Sequence, residues 1–199
     1  AGLFFGRAVG EHNLVTFDMG GTSLDVGMVH DGEPEIATDL DVHGYRVGLP
    51  MVKVLTLGAG GGSIARVDRS GMLRVGPGSA EALPGPACYA RGGERPTVTD
   101  ANVVLGYFNP TGLLGGRMPL DRELAVQALR RYVGEPLGLT AREAALAVYT
   151  VVNDNMASAV HQSSTEQGYD LRDFTLTCGG GCSGAHAVRV AESTGMKRV

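Results

Sequence analysis

Three glycine-rich turns carry the residues whose types and spacing could do chemistry. The first is Asp18-Met19-Gly20-Gly21-Thr22-Ser23, set between the runs Leu14-Val15-Thr16-Phe17 and Leu24-Asp25-Val26-Gly27-Met28-Val29. Its two glycines let backbone N–H groups face an anion without a Cβ in the way. Thr22 and Ser23 add hydroxyls, and Asp18 at a strand end can hold Mg²⁺ directly or through water. Together these parts suit a nucleotide phosphate. Lys is absent and a strand, not a helix, follows, so this is not the strand–loop–helix phosphate motif. The plainer alternative is a glycine hairpin whose Asp satisfies nearby amides.

The second turn is Gly58-Ala59-Gly60-Gly61-Gly62-Ser63. Four glycines in six residues are costly in chain entropy, which suggests backbone contact with a ligand or with another loop. The third, Gly179-Gly180-Gly181-Cys182-Ser183-Gly184, lies between a strand and a helix start, where the helix dipole favours a flat or anionic ligand. Close helix-on-sheet packing through small residues is its alternative. Cys178, Cys182 and His186 fall at four-residue steps, but the glycines break any common helical face, so they are read as packing residues rather than metal ligands.

Stepping outward, 199 residues suit one domain or one lobe of something larger. Hydrophobic residues make up 43%, enough for a core. With 17 Lys plus Arg against 21 Asp plus Glu, the net charge is −4, a poor match to nucleic acid or an anionic membrane surface. No apolar run is long enough to span a bilayer. The opening Ala1-Gly2-Leu3-Phe4-Phe5-Gly6-Arg7 lacks the charge order of a signal peptide, and its missing Met points to a longer parent. Three cysteines are no disulfide framework and fit a reducing, cytoplasmic setting.

The elements that must position these turns follow from periodicity. Residues 14–38 read as three antiparallel strands, the third over 35–38 after the Asp31-Gly32 turn. Val52, Val54 and Leu55 lead into the second glycine turn, and 64–68 with 72–75 form a hairpin about Arg69-Ser70-Gly71. Thr99-Asp100 caps a short helix ending at Gly106, and Asp121 caps another running to about Val133. Thr140 and Glu143 form a capping box for a helix to about Gln167, with Leu146, Tyr149, Val152, Met156 and Val160 on its apolar face. A strand at 174–178 and a helix at 185–193 close the order. Met19, Met28, Met156 and Met196 read as core filler, and His161 as a surface residue. The order β-β-β, a long insertion at about 39–138, then α-β-α predicts an α/β fold with helices on a mixed sheet.

In collinear order, Thr16–Val26, Gly58–Ala65, Pro84–Tyr89 with Arg91-Gly92-Gly93, Pro96–Asn102 and Gly115–Asp121 resemble the hydantoinase/oxoprolinase family, which includes N-methylhydantoinase A, 5-oxoprolinase and the acetone carboxylase relatives. The resemblance implies an actin-like ATPase architecture of two ribonuclease-H-like lobes, with residues 1–199 as the second and the first lobe outside this chain. It implies ATP and Mg²⁺ as cofactors. Asp18 would be the Mg²⁺-facing carboxylate and Asp25 a second catalytic carboxylate. Gly20, Gly21, Thr22 and Ser23 would cradle phosphates, Gly60, Gly61, Gly62 and Ser63 would close over them, and Gly180, Gly181, Cys182 and Ser183 would flank adenosine. Such enzymes are thought to phosphorylate a carbonyl oxygen so that water opens a cyclic amide, or so that a ketone is carboxylated. The implied partners are a cyclic amide or ketone substrate and a second, B-type subunit. A non-catalytic nucleotide-binding or scaffold lobe is the alternative of another class.

Three departures stand out. Where many family members carry an Asp and a His ahead of the second glycine turn, this sequence has Lys53 and Leu55, neither a metal ligand. The usual Gly-Gly-Ala-Gly-Pro reads Gly180-Gly181-Cys182-Ser183-Gly184, and Leu24 replaces a Thr.

Overall fold

Apolar alternation in the first two runs produces a two-faced hairpin, with the later helices built on one side and the N-terminal helix set against Leu14 and Thr16 on the other. The computed structural model describes residues 1–42 and 44–199. After helix α1 (Gly2–Val9) come β1 (Leu14–Met19) and β2 (Leu24–His30), then β3 (Glu33–Pro34), β4 (Ile36–Ala37), β5 (Leu40–Val42), β6 (Tyr45–Val47), β7 (Met51–Val52), β8 (Val54–Leu57), β9 (Ser63–Val67) and β10 (Leu73–Ser79). Helices α2 (Val98–Leu105), α3 (Arg122–Leu129), α4 (Glu135–Leu137) and α5 (Ala141–Gln167) follow, then β11 (Thr175–Gly179) and α6 (Ala187–Thr194).

The main sheet has the order β11-β1-β2-β3, with β8 also paired to β2. Strand β11 runs parallel to β1, while β2 runs antiparallel to it. This is a mixed sheet in a mixed α/β fold. Phe17, Met19, Leu24 and Val26 are fully buried on the face covered by helices, in one cluster with Val98, Val103, Val148, Val152 and Met156. All four methionines read as filler are buried.

Several boundaries differ from the sequence reading, each for a local reason. The third strand, read over 35–38, is split: Glu33–Pro34 pairs with β2, while Ile36–Ala37 turns away to pair with β7 in a separate two-stranded sheet. α2 starts two residues earlier than read: Thr97, not Thr99, is its N-cap, with Asp100 answering in a capping box. The helix after Asp121 widens into a π turn over Arg130–Gly134 and continues to Leu137. Pro136 would clash with the carbonyl four residues back, and the wider turn accommodates it. Leu146 is 54% exposed; Ala145 and Val148 take the buried stripe instead. α1 had no sequence signal beyond Gly10, its left-handed C-cap.

Candidate functional site

Residues facing each other across neighbouring strands point to the same side of a sheet. The register pairs Asp18 with Asp25, Asp18 with Gly179, and Asp25 with Thr56. One polar row, Gly179–Asp18–Asp25–Thr56, therefore crosses four strands on the face away from the helical core. Thr56 Oγ1 donates to Asp25 Oδ1 at 2.6 Å. Two carboxylates set directly opposite repel each other, and hard oxygen donors of this kind suit Mg²⁺. Asp18 also lines a crevice of about 150 Å³ with Gly2, Phe5, Thr16 and Thr177, at the side where α1 approaches the sheet.

Beyond this row β1 and β2 are joined by the bend 20–23, on which the other two glycine turns converge. Gly20 N–H donates to Ser23 O at 3.0 Å and closes the bend. The second turn sits beneath it: Gly61 N–H donates to Gly20 O at 3.0 Å and Gly62 N–H to Gly21 O at 2.6 Å. An added Cβ on Gly60 would lie 2.6 Å from Thr22 N and Thr22 C. The third turn closes from the other side, with Cys182 N–H donating to Met19 O at 3.0 Å. Gly180, at φ 83°, has no room for a Cβ between Asp18 Oδ1 and Met19 O.

The outer side of the bend is open. Gly21 and Thr22 are exposed, and a Cβ on Gly20 or Gly21 would meet nothing within 4 Å. Among the described residues no protein acceptor meets the N–H groups of Gly21 and Thr22. These two glycines are not demanded by packing, and the amides beside them are available to an anion. Exposed amides beside a pair of carboxylates are the donor set that a phosphate with its counter-cation would require.

The 58–63 turn behaves differently from the expectation that it closes over phosphate. Ala59, Gly60, Gly61, Gly62 and Ser63 are buried. Ser63 Oγ accepts from Gly60 N–H at 2.8 Å and stiffens the turn from within. Its backbone contact is with another loop, so it supports the bend from below. Behind it, Thr99 N–H and Thr99 Oγ1 both donate to Gly61 O, at 2.7 and 2.9 Å. Sequence reasoning missed Thr99 in this role, although the Thr97–Asp100 capping pattern fixes where it must point.

Asp100 explains two of the motif segments. Fully buried, it accepts from Cys88 N–H at 2.7 Å, Ala87 N–H at 3.3 Å, Thr97 N–H at 2.8 Å and Thr97 Oγ1 at 2.8 Å, and so ties 84–89 to the start of α2. Burial pushes the Cys88, Cys178 and Cys182 thiols up, which keeps all three protonated and poor nucleophiles. Among the described residues no group of three His, Cys, Asp or Glu side chains is placed to hold a metal. Lys53 Nζ pairs with Glu166 Oε2 at 2.9 Å, and Leu55 packs against the core.

The family model for hydantoinase/oxoprolinase matches residues 2–199. The chain belongs to the hydantoinase/oxoprolinase family. Within that family it is 49% identical to caprolactamase subunit alpha of Pseudomonas jessenii over all of this chain and 29% of that protein. It is 45% identical to the acetophenone carboxylase gamma subunit of Aromatoleum aromaticum over 92% of this chain and 25% of that one. The crystal structure of ATP-dependent caprolactamase from Pseudomonas jessenii superposes with a TM-score of 0.91 at 49% identity, covering 98% of this chain and 28% of that one. Nucleotide-free acetone carboxylase gives 0.89 at 32% identity, with the same coverage. The chain thus spans less than a third of the length of these relatives. Among the described residues no helix is long and apolar enough to cross a membrane.

Proposed function

We propose that this chain is the second nucleotide-binding lobe of an ATP-dependent enzyme that opens a cyclic amide, built on the actin-like, ribonuclease-H-like plan. The observation that carries the reading is the open bend at Gly20–Ser23, whose free amides lie at the end of the Asp18–Asp25 carboxylate pair. The hairpin β1–β2 with β11 added in parallel beside β1 supports the lobe assignment, as does likeness to a caprolactamase described as ATP-dependent.

On this reading the N–H groups of Gly21 and Thr22 and the hydroxyls of Thr22 and Ser23 hold phosphate oxygens. Asp18 and Asp25 would hold Mg²⁺, which supplies charge neutralisation at the phosphates when bound. Gly180–Ser183 would flank the adenosine, and the buried 58–63 turn keeps the bend in shape. The first lobe and a second subunit would bring the amide, whose oxygen receives the phosphoryl group before water opens the ring. Three free thiols suit a reducing cytoplasm.

A ketone carboxylase subunit is the second reading. It is favoured by the 45% identity to a carboxylase subunit and by Lys53 and Leu55, one ion-paired and one core-facing, at the two ligand-like family positions. The test is ATP turnover by the intact protein with its partner subunit, supplied in turn with a lactam, a hydantoin, 5-oxoproline, or a ketone plus bicarbonate. Turnover with the cyclic amides, abolished by Asp18→Asn, is the expected result. Turnover only with ketone and bicarbonate moves the assignment to the carboxylase. Nucleotide binding without turnover on any of them leaves a scaffold lobe.

A further inference from the structure

His186 is fully buried, stands at the N-cap of α6 just after the third glycine turn, and has no part in the site described above. Its ring joins three elements. Nε2 lies 3.0 Å from Asn102 Nδ2 on α2, and Nδ1 lies 3.3 Å from Asn153 Oδ1 on α5. The arrangement is that of a neutral ring, with Nε2 accepting and Nδ1–H donating. Desolvation favours the same state, pushing the imidazole down to about 4. Tyr149 stacks on the ring at 5.1 Å and donates its hydroxyl to Ala185 O at 2.9 Å, so the residue preceding His186 is tied down as well.

We infer that His186 is a positioning residue that sets the spacing of the second and third glycine turns around the bend. The bonds form a closed ring. From the bend, Gly20 O and Gly21 O lead to Gly61 and Gly62, and Gly61 O leads to Thr99 on α2. One turn further along α2, Asn102 reaches His186. From His186 the chain returns through the third turn to Cys182, whose N–H bonds Met19 O beside the bend. Remove the imidazole and the polar link from α2 and α5 to the start of α6 is lost, leaving the third turn held by the Cys182 N–H bond to Met19 O, the Tyr149 bond to Ala185 and the contact of Cys182 Sγ with Gly61. A second feature points the same way: Asn102 Oδ1 is buried with no partner. The carboxamide leaves an acceptor unmet while its Nδ2 meets His186, which is a cost the fold carries for this contact.

The inference rests on the nucleotide reading for its consequence but not for its geometry, and the experiment separates the two. In the intact protein, His186→Phe keeps a ring against Tyr149 and removes both polar links. Asn102→Leu breaks only the α2 link and serves if the first variant does not fold. Amide hydrogen exchange at Gly61, Gly62 and Cys182 is measured beside Mg-ATP affinity and the thermal midpoint. Exchange at these three amides is expected to rise at least tenfold relative to β1 and α5 amides, and the ATP dissociation constant to rise about tenfold. His186→Gln, which can keep one amide link, is expected to recover part of both. Uniform exchange changes across the fold, or a lowered midpoint with these amides unmoved, would overturn the inference. If wild type binds no Mg-ATP, the nucleotide reading falls while exchange still decides whether His186 spaces the turns.

Discussion

Alanine at Gly60 and alanine at Gly21 separate support of the bend from contact with its ligand. In Gly60→Ala the new Cβ would sit 2.6 Å from Thr22 N and C and 2.7 Å from Gly21 C. Comfortable contact between such atoms begins at about 3.5 Å, so turn and bend must part by roughly 1 Å. Overpacking of this kind costs about 1–3 kcal/mol. The same movement strains the Gly61 N–H to Gly20 O and Gly62 N–H to Gly21 O bonds, each worth about 1 kcal/mol. With partial relaxation the loss is about 3 kcal/mol, or roughly 6–12 °C in the thermal midpoint of a unit this size. Gly21→Ala meets nothing within 4 Å, so its stability should stay within about 0.5 kcal/mol of wild type. Its Cβ would nonetheless stand beside the amides offered to phosphate, and Mg-ATP affinity should fall about tenfold, equivalent to ~1.4 kcal/mol. Thermal unfolding and titration calorimetry on the intact protein read both quantities. Unchanged affinity in Gly21→Ala would show that phosphate is not held at the bend, and an unperturbed midpoint in Gly60→Ala would refute the packing argument.

Further tests address the frame. Asp100→Asn turns an NH₂ toward backbone donors that now meet oxygen, and should cost about 2–4 kcal/mol in thermal unfolding. His186 titrates near 4 when folded against 6.5 ordinarily. The unfolded chain therefore takes up the proton first as pH falls. That contribution is whole above about pH 6.5 and fades progressively to about pH 4, by roughly 3 kcal/mol; a pH series of unfolding midpoints, wild type against His186→Gln, isolates it. Lys53→Ala should change stability by less than about 1 kcal/mol in the same assay, because its pair with Glu166 is partly exposed. Thr140→Ala should cost about 1 kcal/mol by removing the cap of α5.

Local rules carried much of the fold. Thr140 and Glu143 announce α5, and Gly168 ends it as read. The alternation around Phe17 and Val26 places the hairpin and its buried face. Where the sequence reading failed, the deciding term was tertiary. Leu146 obeys helical spacing, yet the stripe that meets α2 and the sheet is set a residue away, on Ala145 and Val148. The three glycine turns were legible as turns. That they meet is a matter of register, since β11 returns to β1 only after the helices. Asn102 and His186 are ordinary polar residues in sequence, and their pairing across 84 positions leaves no local trace.

The parallel pairing of Leu14 with Thr175 has a consequence for biogenesis. During translation the bend and its supporting turn emerge early, but the strand that brings Cys182 to Met19 is made much later. A nascent chain can assemble half of the cradle and must wait for the remainder, with the flank of β1 bare in the interval. Contacts this distant slow folding and leave an unprotected strand edge. Within residues 1–199 the three turns can therefore meet only after the third has been made.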